Sequence, residues 1–235
     1  PGPVRFARGH KGKRDSFVTQ QRRRAAPEEF PEDGRLALSL IILIAACTML
    51  ELALSADDYG LIGNRPGLLR REAYDYGAFW PGLLRDWPAN YPGQPALMFV
   101  THAFLHGGLS HLAMNMITLW SLGNGVIARV GQRRFLAIYA ISALGGGIGF
   151  GLLAGTLTPM VGASGALFGL AGAIIAWATL DRRADRLGLG PVLKVLAYLV
   201  ALNLVMWLVL AGHLAWQTHL GGFIAGALAA IWLDR

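Results

Sequence analysis

Val161-Gly162-Ala163-Ser164-Gly165-Ala166-Leu167-Phe168-Gly169 places a serine in a glycine-rich bend, and the uncharged run 164–180 that follows is helix-forming in composition. A serine hydroxyl is a weak nucleophile, so this position carries chemistry only if a base and oxyanion donors can reach it. Two other apolar segments offer them. His111-Leu112-Ala113-Met114-Asn115 lies upstream, and His219-Leu220-Gly221-Gly222-Phe223-Ile224-Ala225-Gly226 lies downstream.

The chain that carries these pieces is built for a bilayer. Of 235 residues, 54% are hydrophobic and 15% charged, against about 25% charged in ordinary soluble domains. Mean hydropathy is +0.45, and apolar runs long enough to cross a hydrocarbon core of ~30 Å recur. The fold class expected is an all-α polytopic membrane protein. The net charge of +7 and the pI near 10.1 do not indicate nucleic acid, because no folded basic motif accompanies the charge. The single cysteine, Cys47, excludes an internal disulfide framework. Ile44-Ala45-Ala46-Cys47 has the look of a lipoprotein processing site. The apolar run continues to Leu54, which favours a plain buried cysteine and argues against a cleaved signal peptide.

Residues 1–35 carry nine Lys or Arg and four prolines with little apolar pattern, and read as a basic, disordered cytoplasmic tail. Residues 36–235 form the membrane domain. Its first span is expected over 36–54, with Glu51 as a solvated residue near its end. A long loop, 55–95, follows, in which Tyr74, Tyr76, Trp80, Trp87 and Tyr91 suit the membrane interface. Further spans are expected over 110–128, 135–157, 164–180, 192–211 and 218–233. Two basic links, 129–134 and 181–186, separate the second from the third and the fourth from the fifth.

Six spans put both termini on one side. If that side is cytoplasmic, it collects all but four of the 21 Lys and Arg, leaving Arg65, Arg70, Arg71 and Arg85 outside. The same arrangement brings His111, Ser164 and His219 to the extracytoplasmic ends of their helices. Polar groups in a span are costly and mark function. Taken singly, each has a plainer reading: a membrane histidine also serves as a packing hydrogen bonder, and small residues are common wherever membrane helices touch.

Spacing joins them. His111 and Asn115 stand four apart on one helical face, and His219, Gly222 and Gly226 stand at i, i+3 and i+7 on another. Glycines below His219 let its helix lie close to a neighbour, and Gly165 and Gly169 supply a matching pair. Ser164 sits at a helix N-terminus, where unpaired N–H groups favour developing negative charge. The Ser164 amide, His111 and Asn115 are therefore candidate oxyanion donors. No third triad member is visible, so a Ser–His dyad is the economical reading. The histidines lack metal-ligand companions at useful spacing, and no metal or cofactor is expected.

Together, His106-x4-His111-x3-Asn115, Gly162-x-Ser164-Gly165 and His219-x2-Gly222-x3-Gly226 resemble the rhomboid family of intramembrane serine proteases, over about residues 97–233. The resemblance implies a bacterial, six-transmembrane-helix bundle with a half-embedded first loop, lying in the inner membrane. It implies Ser164 as nucleophile, His219 as general base, and His111, Asn115 and the Ser164 amide as the oxyanion hole. Phe168 stands where the family sets an aromatic ring against the catalytic histidine, with Gly162, Gly165, Gly222, Gly226 and His106 in support. Transmembrane proteins would be the substrates. The span over 192–211 and the 212–217 loop, with Trp207 and Trp216 nearby, are candidates for a gate on their entry, against a plainer reading of these rings as ordinary interfacial aromatics. Two positions depart from the pattern: Leu97-Met98 stands where many rhomboids have Trp-Arg, and Ile127 replaces a glutamate common near the end of the second span. The competing class is a non-catalytic rhomboid-like protein that binds membrane clients. Its members typically lack the serine or the histidine; both are present here.

Overall fold

Helix α1, Leu38–Asp58, is 21 residues long, about 31 Å at 1.5 Å per residue and enough to cross a hydrocarbon core. A computed structural model describes residues 37–233; the basic tail over 1–35 lies outside the described residues. The buried positions of α1, among them Leu40, Cys47, Glu51 and Leu54, recur at helical spacing along one face. Ile42, Met49 and Leu52 point outward. A helix that exposes large apolar side chains while burying a carboxylate is arranged for lipid, and the chain is an integral membrane protein.

The expectation of a solvated Glu51 is wrong. Its carboxylate is fully buried, accepting from Arg70 Nη2 at 2.7 Å and from Ser55 Oγ at 3.0 Å. Arg70 also reaches Asp58 at 2.6 Å and the His106 carbonyl at 2.8 Å. A buried carboxylate needs such a partner, since unpaired it would cost several kcal/mol. The Glu51 carboxylate in turn lifts the Arg70 guanidinium further above its ordinary pKa.

The segment expected as a loop is in large part helical. Helix α1 runs four residues further than expected, and α2, Leu68–Gly77, begins after Gly67 at φ 81°. A 3-10 turn, Pro81–Leu84, leads to α3, Gln94–Thr101, and a second turn, His102–Phe104. Burial of short apolar runs explains the difference. Phe79, Leu83 and Met98 form a small core with Phe150, Ala154 and Met160, which an extended loop could not assemble.

Helix α4, Leu109–Leu153, has 45 residues and a single break at Gly131, with φ 78° and ψ 167°. The basic link thus collapses to a one-residue kink between two limbs, 109–130 and 132–153. Glycine suits this left-handed φ, which other residues adopt only under strain. The second limb stops at Leu153, short of the expected 157, because Ala154 turns extended (φ −75°, ψ 118°). The chain then pairs Met160 with Phe79 through reciprocal N–H···O bonds of 3.0 Å, an isolated antiparallel bridge.

Helix α5, Ser164–Ala184, α6, Gly190–Val209, and α7, Trp216–Leu233, complete the chain. Among the described residues, α1, α4, α5 and α6 are long and apolar enough to cross a membrane. Helix α7 is 18 residues long and opens with the polar Gln217, Thr218 and His219. At the other end of the bundle Arg129 Nη1 meets the Asp181 carboxylate at 2.7 Å and lies over the Trp177 ring. This contact brings the two cationic links together.

Packing is tightest where α4's second limb, α5 and α7 meet. A methyl group on Gly222 would strike the Gly165 carbonyl oxygen, and one on Gly226 the Gly169 carbonyl oxygen. On the limb of α4, a Cβ at Gly149 would come within 2.6 Å of the Gln217 oxygen and one at Gly146 within 3.3 Å of Gly165 Cα. The backbones lie in direct contact, the small-residue packing that substitutes for a hydrophobic drive in lipid. Helix α6 is the opposite case. Val192 is its one buried residue.

Candidate active site

Ser164 is the first residue of α5, so its N–H has no intrahelical acceptor. Gly162, two residues before it, has φ 126° and donates its N–H to the His102 carbonyl at 2.9 Å. A side chain at Gly162 would run into the His111 ring, 2.9 Å from Cε1 and 3.0 Å from Nε2. Glycine here therefore serves both the turn and the close approach of His111 to the start of α5.

The close contact of α5 with α7 brings His219 Nε2 to 3.0 Å from Ser164 Oγ. Phe168, one turn below Ser164, stacks on the imidazole at 4.1 Å between centroids and 7° between planes. His219 is 7% exposed, so the pair is shielded without being sealed. Gly165 and Gly222 are the backbone contact that sets this distance, and Gly169 with Gly226 repeat it one turn lower.

His111 faces the same spot from α4. Its Nδ1 accepts the Gly107 N–H at 3.2 Å, so the ring proton resides on Nε2, the nitrogen beside Gly162. That nitrogen, close to the start of α5, is thus a donor. Asn115 is buried and donates from Nδ2 to the His111 carbonyl at 2.9 Å, which leaves its second amide hydrogen uncommitted to that bond.

His106 is fully buried behind the site, edge-on to the His111 ring at 5.3 Å. Burial holds its pKa down to about 4, with His111 pushing the same way, and burial alone holds His102 down to about 4. Both rings are neutral at neutral pH. His102 Nδ1 donates to the Met98 carbonyl at 2.8 Å. The Tyr74 hydroxyl and Arg70 both donate to the His106 carbonyl, each at 2.8 Å. Helix α2 thereby fixes the turn from which α4 and His111 start.

One residue at the site escaped the sequence reading. Asn203 Oδ1, from α6, lies 2.7 Å from His219 Nδ1. Its signal was present, a lone strongly polar side chain within the apolar run 199–209. Sixteen residues and a turn separate it from His219, and no local periodicity links the two. The Glu51 carboxylate is bound to Arg70, not to His219.

Among known proteins, the rhomboid domain family model matches residues 94–235. A rhomboid protease GluP of Bacillus subtilis (strain 168) is 34% identical over 131 residues, 56% of this chain and 25% of that protein. A rhomboid protease GlpG of Yersinia pestis (strain Pestoides F) is 32% identical over 144 residues, 58% of this chain and 48% of that protein. GlpG of Yersinia enterocolitica serotype O:8 / biotype 1B is 33% identical over the same length. The chain thus spans half or less of the length of these curated relatives.

Proposed function

The chain belongs to the rhomboid family, and from that premise we propose that it is an intramembrane serine endopeptidase. It would hydrolyse peptide bonds in or near the transmembrane segments of membrane-protein substrates. The observation that carries this reading is the 3.0 Å contact between His219 Nε2 and Ser164 Oγ, held by glycine backbones and shielded in an apolar bundle.

In the proposed mechanism His219 Nε2 takes the Ser164 proton as Oγ attacks the scissile carbonyl carbon. The carbonyl oxygen becomes an oxyanion beside the Ser164 N–H, His111 Nε2–H and the Asn115 amide. The imidazolium then gives its proton to the leaving amine, and the C–N bond breaks to form the acyl-enzyme. Water attacks that ester with His219 again as base, releasing the acid and restoring the serine. The glycines Gly162, Gly165, Gly222 and Gly226, with Phe168 and His106, position these groups. A substrate helix must unwind to present a carbonyl, so small or helix-breaking residues near the cut are expected.

The proposed topology has six crossings: α1, the two limbs of α4, α5, α6 and α7. The length of α4 supports two passes, since 45 residues extend about 68 Å. Both termini would lie in the cytoplasm, with residues 1–35 as a basic tail beside the membrane domain over 36–235. The site would open to the extracytoplasmic side of a bacterial inner membrane. The meeting of Arg129 with Asp181 at the end remote from Ser164 supports that orientation, since cations gather on the cytoplasmic face.

Labelling of the purified protein in detergent by a fluorophosphonate probe tests the reading. Wild type is expected to label, and Ser164→Ala and His219→Ala to lose labelling while remaining folded. A folded wild type that takes no probe and cleaves no transmembrane test substrate would overturn it in favour of client binding without catalysis.

A further inference from the structure

The aromatic stack on the His219 ring leaves two freedoms uncontrolled. The Phe168 stack, 7° from parallel, fixes the plane of the imidazole. It does not fix rotation within that plane, nor which nitrogen carries the proton. A base toward Ser164 requires an unprotonated Nε2, and in a neutral imidazole that means a proton on Nδ1. Asn203 Oδ1 sits 2.7 Å from Nδ1. A carbonyl oxygen only accepts, so this contact selects the Nδ1–H form and turns the Nε2 lone pair to the serine hydroxyl.

We propose that Asn203 is a positioning residue that holds His219 in the base-competent tautomer, and that it does so only while α6 is seated against α5 and α7. The proposal rests on the protease reading above. The coupling to α6 follows from how that helix is held. Its one buried residue is Val192, near its start, and its surface is lined by exposed Val200, Leu204, Val205 and Leu208. Asn203 lies eleven residues beyond Val192, about 16 Å along the axis, where apolar packing contributes little. Displacement of α6 by a substrate helix would therefore break the Asn203 bond first and release the His219 ring. The other charged or titratable groups near this pair are few. His111 of α4 bears on His219. Lys194, the charged residue of α6, stands nine residues before Asn203 and about 13 Å from it along the axis.

Nitrogen NMR of histidine-labelled full-length protein in detergent, with the His219 signal identified by its loss in His219→Ala, reads the tautomer independently of activity. Wild type is expected to carry the proton on Nδ1, and Asn203→Ala to lose that preference. In parallel, Asn203→Ala should label with fluorophosphonate about tenfold more slowly, the size of one lost hydrogen bond, at an unchanged thermal midpoint. Asn203→Asp keeps the acceptor and adds a charge that favours imidazolium. It should retain labelling, with the acid limb of the pH profile moved up by about one unit or more. A merely structural side chain would move neither the tautomer nor the pH profile. A wild-type proton on Nε2, or Asn203→Ala with wild-type tautomer and rate, overturns the proposal. The Nδ1–H form in a folded wild type that takes no probe supports the Asn203–His219 contact while overturning the protease reading.

Discussion

Helices α5 and α6 both contribute a side chain to the same imidazole, yet they are held in place by different means. Helix α5 is locked to α7 through Gly165 against Gly222 and Gly169 against Gly226, with no room for one added carbon. Helix α6 buries Val192 alone and otherwise presents leucine and valine outward. The pair of groups that must meet within hydrogen-bond reach sits on the locked helices. Asn203, whose side chain meets the His219 ring, sits on the loosely held one. Rigidity is thus concentrated where a shift of an ångström would matter, and the adjoining wall is left free to move.

A substitution in the locked interface should have the largest effect. Gly222→Val would drive two helices apart and is expected to destabilise by about 3 kcal/mol or more, with a large fall in the thermal midpoint and loss of probe labelling. A wild-type midpoint would mean that α5 and α7 are not backbone-packed. Helix α2 supplies an intermediate case that sharpens the contrast, because a polar device rather than close packing holds it. Glu51→Gln leaves Arg70 half-paired beside the start of α4, and about 3 kcal/mol is expected. The midpoint should fall, while the Ser164–His219 contact and labelling at low temperature persist. A stability equal to wild type would reduce the pair to a surface contact. The smallest effect belongs to α6. Leu204→Ala, at a side chain 56% exposed, should change stability by no more than about 0.5 kcal/mol. A large loss would show that α6 is anchored by contacts on its outer face.

The same contrast separates what could be read along the chain from what could not. Glycines at 222 and 226 follow His219 at i+3 and i+7, and that local period places them on one face whatever surrounds the helix. Asn203 obeys no such rule. Its contact depends on how α6 is rotated about its own axis, and an almost wholly apolar helix carries no periodic signal of that angle. Glu51 was misread for a related reason. Arg70 lies 19 residues on, in a separate helix beyond the first span, so nothing near Glu51 announced its partner. The break at Gly131 lay inside a cationic stretch that looks like a connector in composition; the actual turn needed one residue with positive φ.

The bridge between Phe79 and Met160 has a consequence for divergence. Both of its bonds run from backbone to backbone, so the register they impose on the turn before Ser164 is nearly indifferent to side-chain identity. Side chains around Phe79 can change under mutation while the loop before α5 keeps its register. Insertions or deletions between 79 and 160 that alter the meeting of these two strands of chain would be far less forgivable than substitutions.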